Sequence, residues 1–187
     1  MQRFNFLQAM LLTLLVSMLP IGKATAQEAY AHCDNNGTLT FYYDTERNTR
    51  EGTTYDLNDD IKVVEYDGYE DYADPGWLKA SFTAVVFDPS FADARPTSTY
   101  RWFSGRIGLT SITGLTYLNT SEVTVMSFMF DNCYKLTTLD LSGFDTRNVT
   151  YMNHMFTSCE ELTTLDLSSF DTRNVTDMNL MFSHARN

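Results

Sequence analysis

The first residues that could do chemistry are a group of side chains with oxygen ligands near the start of the chain. Asp56, Asn58 and Asp60 match the first three ligand positions of a calcium-binding loop. Ile61 stands where that loop needs glycine, and Asp67 stands where it needs a bidentate glutamate. The sequence therefore does not predict an ordinary calcium loop.

The histidines do not predict a metal site, and the sequence contains no familiar catalytic motif. His32, His154 and His184 are the only histidines, and none is paired with a cysteine or a carboxylate at ligand spacing. A nucleophile elbow, a phosphate-binding glycine loop and a metal-binding helix motif are all missing from the sequence. We predict no enzyme activity, no catalytic residue, no metal and no cofactor.

The cysteines allow two interpretations. Cys133 and Cys159 lie 26 residues apart at equivalent places of a repeat, so adjacent copies would stack these side chains roughly 5 Å apart. They form either a ladder of small apolar thiols or a disulfide, which requires correctly oriented Cβ atoms and an oxidising compartment. Cys33 is the odd cysteine, either buried or able to pair between molecules.

The elements that position these residues come from an internal repeat. LTTLDLSGFDTRNVTYMNHMF begins at Leu136 and LTTLDLSSFDTRNVTDMNLMF begins at Leu162, an offset of 26 residues. Leucines spaced L-x-x-L-x-L predict a leucine-rich repeat solenoid, in which each unit buries its apolar face against the next. Weaker copies begin near Phe82 and Leu109, which makes four rungs.

Each rung contains two kinds of periodicity. Residues 138–142 alternate polar and apolar side chains and predict a short strand of a parallel sheet. Val149, Met152, Met155 and Cys159 recur every three or four residues and predict a short α or 3₁₀ helix, with Asp145 and Thr146 as N-cap residues. The expected fold class is an α/β repeat solenoid of four such rungs.

The repeated pattern resembles the BspA-like leucine-rich repeat family of bacterial surface proteins. The resemblance rests on L-T-x-L-D-L-S-x-F-D-T-R-N-V-T-x-M-x-x-M-F and on the upstream VVFDPSFADARP and LTSITGLTYLNTSEVT, and it extends from about Ala29 to the end. It implies a cell-surface adhesin that holds host matrix or other bacteria, although many members of the family have no assigned activity.

The candidate binding surface is the exposed side of the predicted parallel sheet. Small polar side chains recur there at matching places of the last two rungs: Thr138, Asp140 and Ser142, aligned with Thr164, Asp166 and Ser168. Such a strip can form hydrogen bonds with a partner. Asp140 next to Asp166 places like charges on neighbouring strands, which are either screened by water or bound by a cationic partner.

The N-terminal segment predicts export. Arg3 precedes an apolar run over 6–19, and Ala24, Thr25 and Ala26 form a cleavage site. The run is shorter than the roughly 20 apolar residues of a membrane span, and no cysteine follows it in a lipobox. We predict a secretory signal over 1–26 and a secreted or cell-surface location, without a membrane span after cleavage.

Charge limits the possible partners. Removal of residues 1–26 leaves 11 basic against 24 acidic side chains, a net charge of −13. Such a chain repels nucleic acid and anionic membranes, so neither is an expected partner. The 14% aromatic content predicts a packed core rather than disorder.

Residues 27–80 predict an N-terminal β-hairpin cap followed by an acidic excursion. Strand-like segments over 29–33 and 38–43 flank the turn cluster 34–37, and the hairpin would cover the first rung. The polar segment 44–75 is either a solvated loop or a variable binding loop. The solenoid then occupies 81–187.

The last rung has nothing stacked on it within the sequence, since a fifth leucine is due at position 188. The chain is then either a truncated piece of a longer product or is covered there by a partner, and self-association through this open rung is possible.

The function hypothesis is an exported, non-catalytic adhesin-like protein that binds a host or matrix protein or glycan. The main alternative is a structural spacer or a self-assembling segment that displays a missing C-terminal region. A weaker alternative is an accessory module of a secreted hydrolase.

Overall fold

The computed structural model of the chain describes residues 26–57, 64–66, 69–71 and 74–185. The predicted signal peptide, apart from Ala26, lies outside the described residues, as do Asn58, Asp60, Ile61 and Asp67 of the candidate calcium loop.

The strands of the described residues are β1 Glu28–Cys33, β2 Thr38–Asp44, β3 Thr53–Asp56, β4 Val64–Tyr66, β5 Tyr69–Asp71, β6 Ala84–Phe87 and β7 Ser111–Thr113. Five of them form a mixed sheet in the order β3-β1-β2-β6-β7. The strand β1 pairs antiparallel with β2 and β3, whereas β2, β6 and β7 run parallel. A separate antiparallel pair is formed by β4 and β5. Short 3₁₀ helices occur at Arg47–Thr49, Gly76–Lys79, Pro89–Asp93 and Leu115–Tyr117.

The predicted hairpin is present. The carboxylate of Asp34 accepts the backbone N–H groups of Asn36 and Thr38 at 2.9 and 2.8 Å, and Gly37 closes the turn with φ +80°. An Asx turn followed by glycine in the left-handed region is a common way to reverse a chain. The turn therefore sets the register of β1 against β2.

An aromatic cluster joins the sheet to the chain that follows it. The ring of Phe41 stacks on Phe87 at 4.6 Å and on Trp102 at 5.0 Å between centroids, and Trp77 meets it edge-on at 5.3 Å. All four side chains are at most 1% exposed. Large aromatic side chains supply most apolar burial per residue in a small core, so this cluster anchors the N-terminal sheet.

From Ser98 onward the chain forms stacked turns, each of 26 or 27 residues, and β7 lies within the first of them. Isolated parallel bridges connect Ser98 to Val125, Val125 to Tyr151, and Tyr151 to Asp177. Phenylalanine rings stack in the same direction, from Phe103 to Phe130 and on to Phe156, each at 5.6 Å. The sequence period thus appears as backbone and ring contacts between successive turns.

The predicted fold class is nevertheless wrong. The expectation was an α/β leucine-rich repeat solenoid of four rungs, each with a short parallel strand and a short α or 3₁₀ helix. The described residues contain instead a small mixed sheet and short 3₁₀ helices, and no α-helix. The segments 138–142 and 164–168 have no assigned strand.

The helix prediction failed because consecutive four-residue turns have the same apolar spacing as a helix. The N–H of Met129 bonds to the carbonyl of Met126, and that of Cys133 bonds to the carbonyl of Phe130, both at 3.2 Å. The third residue of the first turn, Phe128, has φ +59°. A positive φ at that position is the requirement of a type II turn, and it ends any helix after four residues.

The strand prediction failed for a local reason. The carboxylate of Asp140 accepts the backbone N–H of Ser142 at 3.1 Å, which bends the chain in an Asx turn. Asn, Asp and Ser side chains often offer the backbone such an alternative to a sheet ladder. Asp166 and Ser168 repeat the arrangement at 2.9 Å, so each segment is irregular backbone that ends in an Asx turn.

Candidate binding surface

The six residues predicted as a binding strip are all exposed. They lie on two neighbouring turns, since the N–H of Thr163 reaches the carbonyl of Thr137 at 3.5 Å and the hydroxyl of Ser169 donates to Leu141 at 3.2 Å. Thr138, Asp140, Ser142, Thr164, Asp166 and Ser168 all have high solvent exposure. The structure thus brings the two triplets onto adjacent segments, although these segments are not strands.

Asp140 and Asp166 are held as carboxylates by their own turns. The hydroxyl of Ser142 donates to Asp140 at 2.6 Å and its N–H adds a second bond, and together they lower the pKa of Asp140. The N–H of Ser168 lowers the pKa of Asp166 in the same way. In each Asx turn the hydrogen bonds go to Oδ1 of the aspartate, so Oδ2 remains available to a binding partner.

Two Asp–Arg pairs lie a few residues further along the same turns. Asp145 binds Arg147 through Nη2 at 2.6 Å and Nε at 2.9 Å. Asp171 binds Arg173 in the same manner, with Nη2 at 2.5 Å and Nε at 3.0 Å. The arginine side chains are 70% and 84% exposed. Exposed pairs of this kind contribute little stability, and each pair is neutral overall.

The sequence interpretation missed these pairs because it treated Asp145 and Thr146 as caps of a helix. Asp145 does cap a turn, since it accepts the N–H of Arg147 at 3.2 Å. The signal that could have revealed the pairs is the recurrence of D-T-R at both repeats. In an extended turn, residues two apart lie on one side of the chain.

Two concave regions lie away from the strip. An open cleft of about 940 Å³ is bordered by β1, β3 and the segment 93–96, and its charged residues include Glu28, Arg47 and Asp56. Arg47 is already paired with Glu28 at 3.3 Å and with Asp56. The second region is a groove of about 210 Å³ at the last turn, lined by apolar side chains that include Leu162, Leu165 and Phe182.

The described residues offer no set of three or more histidine, cysteine or acidic side chains that could hold a metal ion. His32 contacts the carbonyl of Glu51 at 2.9 Å. The ring of His154 stacks on Phe128 at 4.5 Å. These two histidines therefore have structural neighbours rather than ligand partners.

Cys133 and Cys159 are free thiols packed in a column. The thiol of Cys133 donates to the carbonyl of Phe103 and that of Cys159 to the carbonyl of Phe130, both at 3.2 Å. Burial raises the pKa of Cys159 to about 12 and raises that of Cys133 well above its ordinary value. Of the two interpretations of this pair, the structure has the thiol ladder. Cys33 is also a free, buried thiol.

Within the part of the chain that the structure describes, no helix is long and apolar enough to cross a membrane. Among curated proteins and among solved structures, none matches this chain. Residues 97–187 match the model of a family described as Mycoplasma protein of unknown function, DUF285. This match covers the stacked turns, including both triplets of the candidate surface and both Asp–Arg pairs.

Proposed function

We propose that this chain is an exported, non-catalytic surface protein of the adhesin type, and that the strip formed by 138–142 and 164–168 binds a protein of the host or matrix. The observation that carries the proposal is the exposure of all six polar side chains at matching places of two adjacent turns. Apolar neighbours within the same segments are turned inward, as shown by Leu141, which is 1% exposed.

The charge of the strip indicates which partner fits. Asp140 and Asp166 have lowered pKa values and are ionised at neutral pH, and the whole chain carries a formal charge of −11. Complementary charge across an interface speeds association and excludes partners of the same sign. A protein surface rich in lysine and arginine therefore fits better than an acidic glycan.

The test is binding of the purified chain to a panel of host and matrix proteins and neutral and acidic glycans. The informative variant is the double substitution Asp140→Asn, Asp166→Asn, because asparagine keeps the Oδ1 acceptor of each turn and removes only the charge. The charge-reversing pair Asp140→Arg, Asp166→Arg gives the stronger effect. Saturable binding to a basic protein, weakened by the first pair and abolished by the second, supports the proposal.

The matched control is the pair Glu51→Arg, Asp93→Arg. Both residues are exposed and lie outside the strip, and the charge change equals that of the Asp140→Arg, Asp166→Arg pair. If the control pair weakens binding as much, the effect is one of overall charge and the strip is not the site. Absence of binding to every panel member favours the spacer alternative, and binding to polysaccharide alone favours the accessory module.

Export is tested separately. Residues 1–26 fused to a reporter enzyme should direct it out of a bacterial cell, and the mature N-terminus should be Gln27. A reporter that stays in the cytoplasm contradicts the predicted location without bearing on the binding strip.

A further inference from the structure

Four segments of the chain have the sequence Asn-x-Ser/Thr with a middle residue other than proline. They begin at Asn36, Asn119, Asn148 and Asn174. This is the acceptor sequence for N-linked glycosylation of exported proteins. The reaction involves two side chains of each segment, because the asparagine amide nitrogen receives the sugar and the transferring enzyme recognises the hydroxyl two residues later. In a folded chain, an acceptor segment is therefore usable only where an enzyme can reach both groups.

The two segments in the last repeats use both groups to join neighbouring turns. The amide nitrogen of Asn148 donates to the carbonyl of Ser121, and that of Asn174 donates to the carbonyl of Arg147, both at 2.7 Å. The threonine hydroxyl two residues after each asparagine donates to a carbonyl of the preceding turn, at 3.1 Å in both cases. An enzyme that bound these side chains would have to break the hydrogen bonds between turns.

The segment that begins at Asn119 is held by its middle residue. Thr120 is 1% exposed, and its hydroxyl bonds to the N–H and the carbonyl of Asp145 at 2.7 and 3.0 Å. The amide oxygen of Asn119 accepts the N–H of Ser121 at 3.0 Å. The centre of this segment is therefore fixed against the next turn.

The segment that begins at Asn36 lies in the tight turn between β1 and β2. Asn36 is exposed, and its side-chain amide bonds to the carboxylate of Asp34 within the same turn. The hydroxyl of Thr38 makes no hydrogen bond with any residue that the structure describes. The middle residue is Gly37, which has no side chain to pack inward as the fully buried Val149 does. Both groups that the reaction needs are thus outside the contacts between elements.

The shape of this turn does not depend on the two reacting side chains. The carboxylate of Asp34 accepts the backbone N–H groups of Asn36 and Thr38. The carbonyl of Gly37 accepts the N–H of Thr83 at 3.0 Å. Main-chain groups and Asp34 therefore hold the turn, so an enzyme can bind the side chains of Asn36 and Thr38 while β1 and β2 remain paired.

We propose that Asn36 is the acceptor of an N-linked oligosaccharide in the folded chain. The donor is an oligosaccharide joined to a lipid through pyrophosphate. Nδ2 of Asn36 forms a bond to C1 of the first sugar and loses one proton to a base of the enzyme, while the bond from C1 to the phosphate oxygen breaks and its electron pair leaves with the lipid pyrophosphate. In a cell the reaction depends on export, so it rests on that part of the proposed function, but it uses a surface other than the binding strip.

The test combines the purified chain with an oligosaccharyltransferase and its lipid-linked donor, followed by intact mass measurement and peptide mapping. We expect the folded chain to gain the mass of a single oligosaccharide, located on Asn36. Short synthetic peptides that contain each of the four acceptor segments serve as unfolded controls, and we expect all of them to be modified. A folded chain that stays unmodified overturns the proposal, as does equal modification of Asn148 or Asn174 in the folded chain.

Variants of the chain assign the site. Asn36→Gln and Thr38→Val should each abolish the gain in mass, and urea denaturation checks that both variants fold. Asn35→Gln is the matched control, because Asn35 is an exposed neighbour outside the acceptor sequence, and it should be modified like the unchanged chain. Modification of Asn36→Gln, or loss of modification in Asn35→Gln, overturns the assignment.

This reaction separates the proposal from the proposed function. The purified chain meets the enzyme directly, so failed export of the reporter fusion does not affect the result. Asn36→Gln should also bind the partner of the strip as the unchanged chain does, because Asn36 lies in the turn between β1 and β2 and not in either segment of the strip. Weaker binding by Asn36→Gln would contradict the separation of the two surfaces and overturn this part of the proposal.

Discussion

The hydroxyl of Thr146 holds the backbone of Asp171 at both its polar groups. It accepts the N–H of Asp171 at 2.7 Å and donates to its carbonyl at 3.1 Å. Thr120 binds Asp145 in the same way, at 2.7 and 3.0 Å. A buried side chain with two bonds to the next turn sets the register between turns, because neither bond survives a shift of one residue.

Replacing Thr146 should therefore lower the free energy of unfolding. Thr146→Val removes two partly buried hydrogen bonds to the N–H and carbonyl of Asp171, so we expect a loss of about 1 to 2 kcal/mol in the free energy of unfolding. Thr172→Val should change it by less than about 0.5 kcal/mol, because Thr172 is exposed. Urea denaturation of both variants measures the difference, and equal losses would contradict the assigned role of Thr146.

Two glycines with positive φ should respond very differently to alanine. A Cβ at Gly114, where φ is +73°, would lie 2.3 Å from the carbonyl oxygen of Phe87. A Cβ at Gly105, where φ is +71°, would meet nothing within 4 Å. Gly105→Ala should cost about 1 kcal/mol from backbone strain alone, and Gly114→Ala should cost clearly more because the clash is with backbone. Thermal denaturation of the two variants tests this prediction. Similar melting temperatures for Gly105→Ala and Gly114→Ala would contradict it.

The buried thiols should be unreactive in the folded chain. Thiolate is the reactive form of cysteine, and burial raises the pKa of Cys159 to about 12 and that of Cys133 well above its ordinary value. We expect no alkylation of either residue by iodoacetamide at pH 8 under native conditions and complete alkylation in urea. Peptide mass mapping gives the readout. A Cys133–Cys159 disulfide in the air-oxidised protein would show that the ladder arrangement is wrong.

The Asp171–Arg173 pair predicts a dependence of stability on acid. The guanidinium of Arg173 lowers the pKa of Asp171 to about 2 from an ordinary 3.8. A carboxyl group whose pKa is lower in the folded state stabilises the fold above the unfolded pKa, and this contribution disappears as pH falls from about 4 to about 2. Arg173→Gln should return the pKa of Asp171 towards 3.8, as followed by carboxyl NMR titration. An unchanged titration curve would mean that the pair does not form in solution.

The repeat could be predicted from the sequence because identical spacing forces identical neighbours. The stacking of Phe130 on Phe156 and the column of Cys133 and Cys159 follow directly from the 26-residue offset. Secondary structure did not follow, because an apolar residue every three or four positions fits a helix and a pair of four-residue turns equally well. Only the positive φ of residues such as Phe128 and His154 distinguishes the pair of turns from a helix. Neither phenylalanine nor histidine predicts a positive φ by its residue type.

The candidate surface was partly predictable. Asp140 and Asp166 alternate with leucines that point inward, so the sequence predicts that both carboxylates are exposed. This alternation over three residues is the same in a strand and in an Asx turn. The serine hydroxyl that binds Asp140 depends on a turn of the backbone that the alternation does not encode. The role of Trp77 was beyond prediction, because its indole meets a main-chain carbonyl contributed by Trp102, 25 residues away.

The N–H groups of Met126, Phe128 and Phe130 donate to carbonyls of the turn that follows in the sequence, and this stacking has a consequence for how the chain is made. A ribosome releases the N-terminal sheet first, and domains generally begin to fold as they emerge. Each later turn then finds the N–H groups of the preceding turn already in place, so it can pack as soon as it leaves the ribosome. Nascent chains stalled one turn apart should gain protease resistance in steps of about 26 residues, whereas a single late step would mean that folding waits for the whole chain.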